Sequence, residues 1–168
     1  MFGVLLFSSC AKLDLNPLSE GSSENWYSDE TELSLSLNDL YRTYAWGLEI
    51  DYTTERMTDN WAQRQSAHSF IAGTINSEWT IAEDVWLNSY KAIARANTIL
   101  ANITRAEGKV APLKLRQFAA EARFIRAALY GRLIFLYGDV PFYTTVLDIE
   151  AAFALSRTDK ATILKEVY

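Results

Sequence analysis

Apolar residues recur at intervals of three and four along three long stretches of the chain, which is the spacing of amphipathic helices. The first predicted helix begins at Ser28 or Asp29 and runs to about Trp46. The second runs from about Ile81 to Arg105, and the third from about Leu113 to Tyr137. The apolar and aromatic positions that define the first two faces are Leu33, Leu37, Leu40, Tyr41, Tyr44, Trp86, Tyr90, Ile93, Leu100 and Ile103.

Local signals support the ends of these helices. Asp29 followed three residues later by Glu32 has the spacing of a capping box, and Gly47 is a stop signal for the first helix. Gly108 and Pro112 bracket the turn between the second and third helices. These two helices are predicted to form an antiparallel pair, as in tetratricopeptide repeats, because small residues allow close approach. The small residues are Ala119, Ala120, Ala122, Ala127 and Ala128.

The third helix carries charged residues among many apolar ones, and Gly138 and Pro141 stop it. Charged side chains are rarely buried unless they are paired, so we expect structural ion pairs along this helix. A structural role is favoured over ligand binding for these charges. The charged residues are Glu121, Arg123, Arg126 and Arg132.

The residues after the third helix predict an extended segment and a last helix. Val140 to Val146 is rich in β-branched and aromatic residues, and a helix is predicted to start at Arg157-Thr158-Asp159. Its amphipathic pattern has no C-cap signal by Tyr168, so we expect this chain to be part of a longer one. The fold class is predicted to be all-α, with tetratricopeptide-like antiparallel helix pairs and long irregular loops.

The stretch from Leu48 to Trp79 is the least regular part of the chain, and ligand sites often lie on such loops. Trp can stack on a sugar ring, while Asn, Asp and Arg bond hydroxyl groups, so this stretch is the candidate binding cluster. The alternative is that Asp59 and Asn60 form a cap or turn and Trp61 fills the core. His68 has no visible partner, and a surface histidine is the default interpretation. The candidate ligand residues are Asp59, Asn60, Trp61, Arg64 and Trp79.

The composition excludes several classes of function. The net charge of −5 argues against a nucleic-acid-binding protein. A single His and a single Cys almost exclude a zinc site, and the seven glycines form no phosphate-binding motif, so neither a metal nor a cofactor is expected. No apolar run reaches the ~18 residues that a transmembrane helix needs. The chain has 5 Trp, 9 Tyr and 8 Phe, and some of these rings are available for stacking on a flat ligand.

The N-terminus has the pattern of a bacterial lipoprotein signal, although no basic residue precedes its apolar part. Residues 1–9 are interpreted as a partial signal peptide whose start site lies too far downstream. Cys10 is the candidate lipidation site, and residues 10–25 are the lipidated cysteine and a flexible tether. Residues 26–168 form the helical domain. The alternative is a short apolar N-terminus with an incidental free cysteine.

Two segments carry a resemblance to a known family: Ala120-Glu121-Ala122-Arg123-Phe124-Ile125-Arg126-Ala127 and Tyr137-Gly138-Asp139-Val140-Pro141. Leu13 to Pro17, Trp26, Asp59-Asn60 and the Trp86-x3-Tyr90-x2-Ile93-x2-Ala96-Asn97 pattern support it. In order and content these resemble the SusD/RagB family of outer-membrane nutrient-binding lipoproteins. The resemblance implies a lipid-anchored, surface-exposed protein of the outer membrane that is not an enzyme. It also implies a partner, a TonB-dependent transporter of the SusC type, to which oligosaccharides are passed.

The expected function is therefore the binding of oligosaccharides at the cell surface and their delivery to that transporter. One alternative is a helical-repeat module that binds another protein and no glycan. A second alternative is a surface glycoside hydrolase, because Asp and Glu are plentiful, although no pair of carboxylates stands out.

Overall fold

The computed structural model describes residues 25–42, 58, 69–76 and 78–167. Within these residues the chain is mostly helical, with one antiparallel pair of two-residue strands, and the prediction of an all-α, tetratricopeptide-like fold is confirmed. In chain order, the elements are α1 (Glu30–Leu40), α2 (Thr80–Asn102), a 3-10 turn (Ile103–Ala106), α3 (Pro112–Tyr137), β1 (Val140–Pro141), α4 (Ile149–Ala154), β2 (Arg157–Thr158) and α5 (Lys160–Val167).

Helix α1 starts at a capping box, as its sequence predicts. The Asp29 carboxylate accepts a hydrogen bond from the backbone N–H of Glu32 at 2.9 Å. In return, the Glu32 carboxylate accepts from the backbone N–H of Ser28 at 2.7 Å. These bonds satisfy backbone donors that the first helical turn leaves without a partner. The predicted end near Trp46 and the stop at Gly47 lie outside the described residues.

Helices α2 and α3 form the largest interface between elements, and α1 packs against both. Helix α2 begins and α3 ends within one residue of the predicted positions, and a 3-10 turn replaces the predicted last turn of α2. Pro112 occupies the first turn of α3, where its missing N–H costs nothing. The apolar stripes of the three helices form one core, whose fully or nearly fully buried members include Leu33, Leu37, Leu40, Ile93, Ala96, Ile99, Ala122, Ile125, Leu129 and Leu133.

The expectation of buried ion pairs along α3 is wrong for the charges whose partners are shown. Arg123 is exposed, and half-buried Glu121 accepts a hydrogen bond from the Tyr41 hydroxyl at 2.7 Å rather than facing a cation. Arg126 is held by an amide oxygen and a backbone carbonyl. Phe135, on the same helix, is 78% exposed. Apolar residues surround α3 on every side, so their pattern alone does not show which face is buried.

The segment after α3 returns along the helix pair and ends in a small strand pair. Val140 pairs with Thr158 and Pro141 with Arg157, so the predicted extended segment is a regular strand only at its first two residues. The carboxylate of Asp159 accepts from the second and third residues beyond it and caps α5, whose Ile163 is fully buried. None of the helices within the described ranges combines length with enough apolar character for a bilayer crossing.

Candidate functional site

Most residues predicted for ligand binding lie outside the described part of the chain. They are Asp59, Asn60, Trp61 and Arg64, and the lipidation site Cys10 also lies outside it. Trp79 is described: it is half-buried and immediately precedes the first turn of α2, where its carbonyl accepts from the N–H of Ala82 at 3.0 Å. Trp86 is seven positions further along the chain, which corresponds to about 10.5 Å along the helix axis.

Side chains of α2 and α3 hold residues 140–147, which we call the anchored segment. The Tyr90 hydroxyl donates to the carbonyl of Pro141 at 2.7 Å. The Tyr130 hydroxyl donates to the carbonyl of Tyr143 at 2.8 Å and accepts from the backbone N–H of Tyr143 at 3.0 Å. A backbone outside helices and sheets must find other partners for its polar groups, and here tyrosine hydroxyls are the partners.

Arg126 and Asn97 hold the next two residues of the anchored segment. The Arg126 guanidinium donates to the Asn97 Oδ1 atom at 2.6 Å and to the carbonyl of Thr144 at 3.0 Å. The Asn97 Nδ2 atom donates to the carbonyl of Thr145 at 3.1 Å. Asn97 is itself a core residue, only 1% exposed, and its amide group satisfies a backbone carbonyl. One side chain from each helix thus fixes two consecutive carbonyls.

Aromatic rings pack around these anchors. Trp86 lies 5.0 Å from Tyr90 and 5.1 Å from Tyr137 between ring centroids, and the Tyr90 and Tyr143 rings lie nearly parallel at 6.2 Å. Burial raises the pKa of Tyr90 and that of Tyr130 well above the ordinary value of 10.0. Both hydroxyls therefore remain protonated near neutral pH and can donate the hydrogen bonds that hold the segment.

A groove of about 480 Å³ opens between α2, the anchored segment and α4. Trp86, Tyr90 and Tyr143 form its aromatic wall, and the hydroxyl-bearing side chains Thr98 and Thr145 also line it. The remaining lining is apolar, with no carboxylate, imidazole or thiol among the described lining residues. No group of three potential metal ligands occurs within the described ranges either. The arrangement, an aromatic wall with a few hydroxyl groups, is suited to binding a ligand by contact.

Sequence reasoning did not predict that these side chains hold a backbone segment, and it did not single out Tyr130. Tyr90 and Asn97 are seven residues apart, and Arg126 and Tyr130 are four apart, so each pair lies on one helix face. Two polar pairs on otherwise apolar faces are a signal that these faces bind a polar partner. The partner itself, a backbone segment 13 to 51 residues away, cannot be read from helical spacing.

Comparison with known proteins identifies the family. A family model for SusD-like proteins, described as starch-binding and associating with the outer membrane, matches residues 13–168. The chain therefore belongs to the SusD-like family, as the resemblance of its sequence motifs indicates.

Two relatives from Formosa agariphila match parts or all of the chain. SusD-like protein P25 is 39% identical over 84 residues, which cover 50% of this chain and 16% of that protein. SusD-like protein P2 is 27% identical over an alignment of 185 positions that covers 99% of this chain and 34% of that protein. The chain thus spans about a third or less of the length of these relatives.

Two solved structures from Bacteroides fragilis share the fold. A SusD-like carbohydrate-binding protein superimposes with a TM-score of 0.70 at 26% identity, over 84% of this chain and 30% of that one. A second SusD-like protein gives a TM-score of 0.68 at 20% identity, over 87% and 29% of the two chains, which shows a common fold.

Proposed function

We propose that this chain belongs to a surface lipoprotein of the outer membrane that binds oligosaccharides and delivers them to a TonB-dependent transporter of the SusC type. The observation that carries the proposal is the match of residues 13–168 to a family described as starch-binding and associating with the outer membrane. The helical fold shared with a SusD-like carbohydrate-binding protein supports it. The relatives are about three times longer or more, so the proposal concerns the whole protein to which these residues belong.

The proposed mechanism is capture without bond breaking. In this mechanism, residues of the stretch before α2 hold the sugar: Trp61 and Trp79 offer ring faces for stacking, and Asp59, Asn60 and Arg64 bond its hydroxyl groups. No acid or base with a shifted pKa is required, so the protein is proposed to be a binding protein rather than an enzyme.

The proposed anchor is a lipid on Cys10. In this proposal residues 1–9 are part of the signal peptide, residues 10–25 form the tether and residues 26–168 form the N-terminal helical domain of the longer protein. A tether of this length would let the helical domain stand beside a transporter in the same membrane while the acyl chains hold the protein at the surface.

Glycan binding by the full chain tests the central claim. Titration calorimetry against soluble starch and a panel of other polysaccharide fragments should show saturable binding of at least one of them. Trp61→Ala and Trp79→Ala should each weaken that binding about tenfold, because truncating an aromatic anchor typically costs more than 1 kcal/mol. Phe153→Ala is the control, since this ring is 88% exposed on α4 and outside the proposed cluster. Binding to no glycan, or the release of cleaved sugars, would contradict the proposal.

The second candidate function is a helical module that docks another protein. The apolar groove favours it, together with Ile149 and Phe153 beside it on α4, which are 77% and 88% exposed. Labelling cells with radioactive palmitate separates the two functions. Label that depends on Cys10, together with glycan binding, supports the surface lipoprotein, whereas an unlabelled protein that binds no glycan supports the docking module.

A further inference from the structure

A second, smaller pocket lies between α1, α2 and the residues just before α1. Its volume is about 290 Å³. Small-molecule sites in proteins span roughly 300–1,000 Å³, so this pocket is sized for a single ring rather than for a chain of several rings. It contains the residue types that bind sugars: the aromatic pair Trp26 and Tyr27, the hydroxyl of Ser36, the carboxylate of Asp39 and the guanidinium of Arg95.

The aromatic pair is held in a fixed position by an unusual backbone. Tyr27 has a φ of +70°, which is costly for a bulky residue and persists only where the surroundings determine it. The Trp26 indole N–H donates to the Ser36 hydroxyl at 2.8 Å, and the Tyr27 hydroxyl also hydrogen-bonds to Ser36. Ser36 donates in turn to the carbonyl of Glu32 at 2.8 Å. The kink thus brings two consecutive rings to one hydroxyl of α1.

The charged groups of the pocket are fixed as well. The Asp39 carboxylate accepts from Arg95 at 2.6 Å and from Arg42 at 2.7 Å, and its side chain is only 28% exposed. A carboxylate beside a guanidinium presents fixed acceptors next to fixed donors. Adjacent hydroxyl groups of a sugar ring, each able to donate and accept, match this arrangement.

We propose that this pocket binds one pyranose ring of a glycan. The ring lies against the aromatic pair, and its hydroxyls bond Asp39 and Arg95. The class of ligand rests on the proposed function, but the pocket uses none of the loop residues proposed above. An ionic ligand would meet a like charge in this pair, an anion that of Asp39 and a cation that of Arg95, and an apolar ligand would remove water from the pair without replacing its hydrogen bonds. A neutral polyhydroxyl ring has neither cost.

Two variants of the full chain test the pocket. Asp39→Asn removes the charge at constant size, and Leu35→Trp fills the pocket from a side chain that is 54% exposed, without touching the ion pair. The matched controls are Asp84→Asn and Leu87→Trp, at exposed positions of α2 outside the pocket. The probe is the oligosaccharide that the wild-type chain binds, titrated by calorimetry, with thermal unfolding measured alongside.

The expected result is that both pocket variants lower the affinity for the oligosaccharide about tenfold or more, while both controls bind as the wild type does. If the wild type binds glycan and the two pocket variants bind equally well, the pocket proposal is overturned and the proposed function stands. If the wild type binds no glycan, both fail. Asp39→Asn is judged together with its melting temperature, because it removes an ion-pair partner. If it lowers the melting temperature, the affinity of Leu35→Trp, which leaves the ion pairs in place, decides the test.

Discussion

Arg126 is a charged side chain held at the interface of a helix pair, and within the described part of the chain none of its shown partners is a carboxylate. Its two shown partners are the Asn97 amide oxygen and the carbonyl of Thr144, and its neighbour Arg123 is exposed. Burial lowers the pKa of Arg126 from its ordinary value, but a guanidinium starts so high that it remains charged. The two arginines of one motif therefore have different structural roles, and they form a matched pair for mutation.

The first prediction compares these two arginines. Arg126→Met should lower the free energy of unfolding by about 1.5–3 kcal/mol, because it removes charge-assisted hydrogen bonds and leaves Asn97 Oδ1 and a carbonyl without their donor. Arg123→Met, at an exposed position, should change it by less than about 0.5 kcal/mol. Urea denaturation of the full chain followed by circular dichroism measures both values. Equal effects of the two substitutions would contradict the anchoring role of Arg126.

The second prediction concerns alkaline pH. Burial raises the pKa of Tyr90 and Tyr130 above 10.0, so below about pH 9 these hydroxyls are protonated in both states and add no pH dependence. Above it, the unfolded chain loses protons that the folded chain retains. The free energy of unfolding should therefore fall as pH rises from about 9.5 towards the higher folded values. Urea midpoints across this range measure the slope, which Tyr130→Phe should make shallower; an unchanged slope in that variant would contradict the assignment.

At the scale of elements, Gly138 ends α3 in a conformation that other residues avoid. Its φ is +71° and its ψ is −125°, the mirror image of an extended conformation, and its N–H donates to the carbonyl of Ile134 at 3.1 Å. Beyond the glycine itself and its two chain neighbours, a Cβ atom at this position would meet no atom of the described residues within 4 Å. Any penalty for a side chain here is therefore a property of the backbone and not of a steric clash.

The third prediction follows from that geometry. Gly138→Ala should lower the free energy of unfolding by about 1–3 kcal/mol. Gly138→Asn should be equally harmful, because asparagine tolerates the left-handed helical region but not this one. Thermal unfolding of both variants measures the effect. Stability rescued by asparagine would show that the residue adopts an ordinary left-handed cap instead.

The fourth prediction concerns the start of α1. Asp29→Ala should cost about 0.5–2 kcal/mol, because it leaves the backbone N–H of Glu32 without its acceptor. Asp29→Ser keeps an acceptor at the same place and should retain most of the stability. Chemical denaturation of the two variants measures the difference. A serine variant as unstable as the alanine variant would contradict the capping role.

Secondary-structure elements could be predicted from the sequence where a capping or stop residue lies close to the end of the element. The start of α1 and both ends of α3 follow from Asp29, Pro112 and Gly138, which act within one turn of their own position. Helix α4 and the strand pair were missed. Helix α4 has only six residues and no buried one, and the strands have two residues each, so their short sequences carry no periodic pattern.

At the scale of the whole molecule, the site was harder to predict than the fold. The candidate ligand residues from Asp59 to Arg64 were chosen by residue type, and they lie outside the described residues. The two pockets combine side chains from distant parts of the chain, such as Trp26 with Arg95 and Trp86 with Tyr143. Such combinations depend on how the helices pack, which one sequence does not reveal.

The fifth prediction addresses attachment to the membrane. Cys10→Ala should abolish incorporation of radioactive palmitate into the full chain and move the protein from the membrane fraction to the soluble fraction, because the proposed lipid is attached to that sulfur. Immunoblotting of the two fractions measures the shift. Ser8→Ala, two residues before Cys10, is the control and should leave the protein in the membrane fraction. Unchanged labelling in Cys10→Ala would contradict the anchor.

The side chains that anchor residues 140–147 form hydrogen bonds to the backbone of this segment and not to its side chains. Tyr90, Arg126 and Asn97 all donate to carbonyl oxygens, which every amino acid possesses. Thr144, Thr145 and Val146 can therefore be exchanged without removing a single anchor, although Thr145 and Val146 line the groove. The backbone position of this segment therefore does not depend on which side chains it carries. A library randomised at these three positions should yield folded proteins whose grooves have different lining residues.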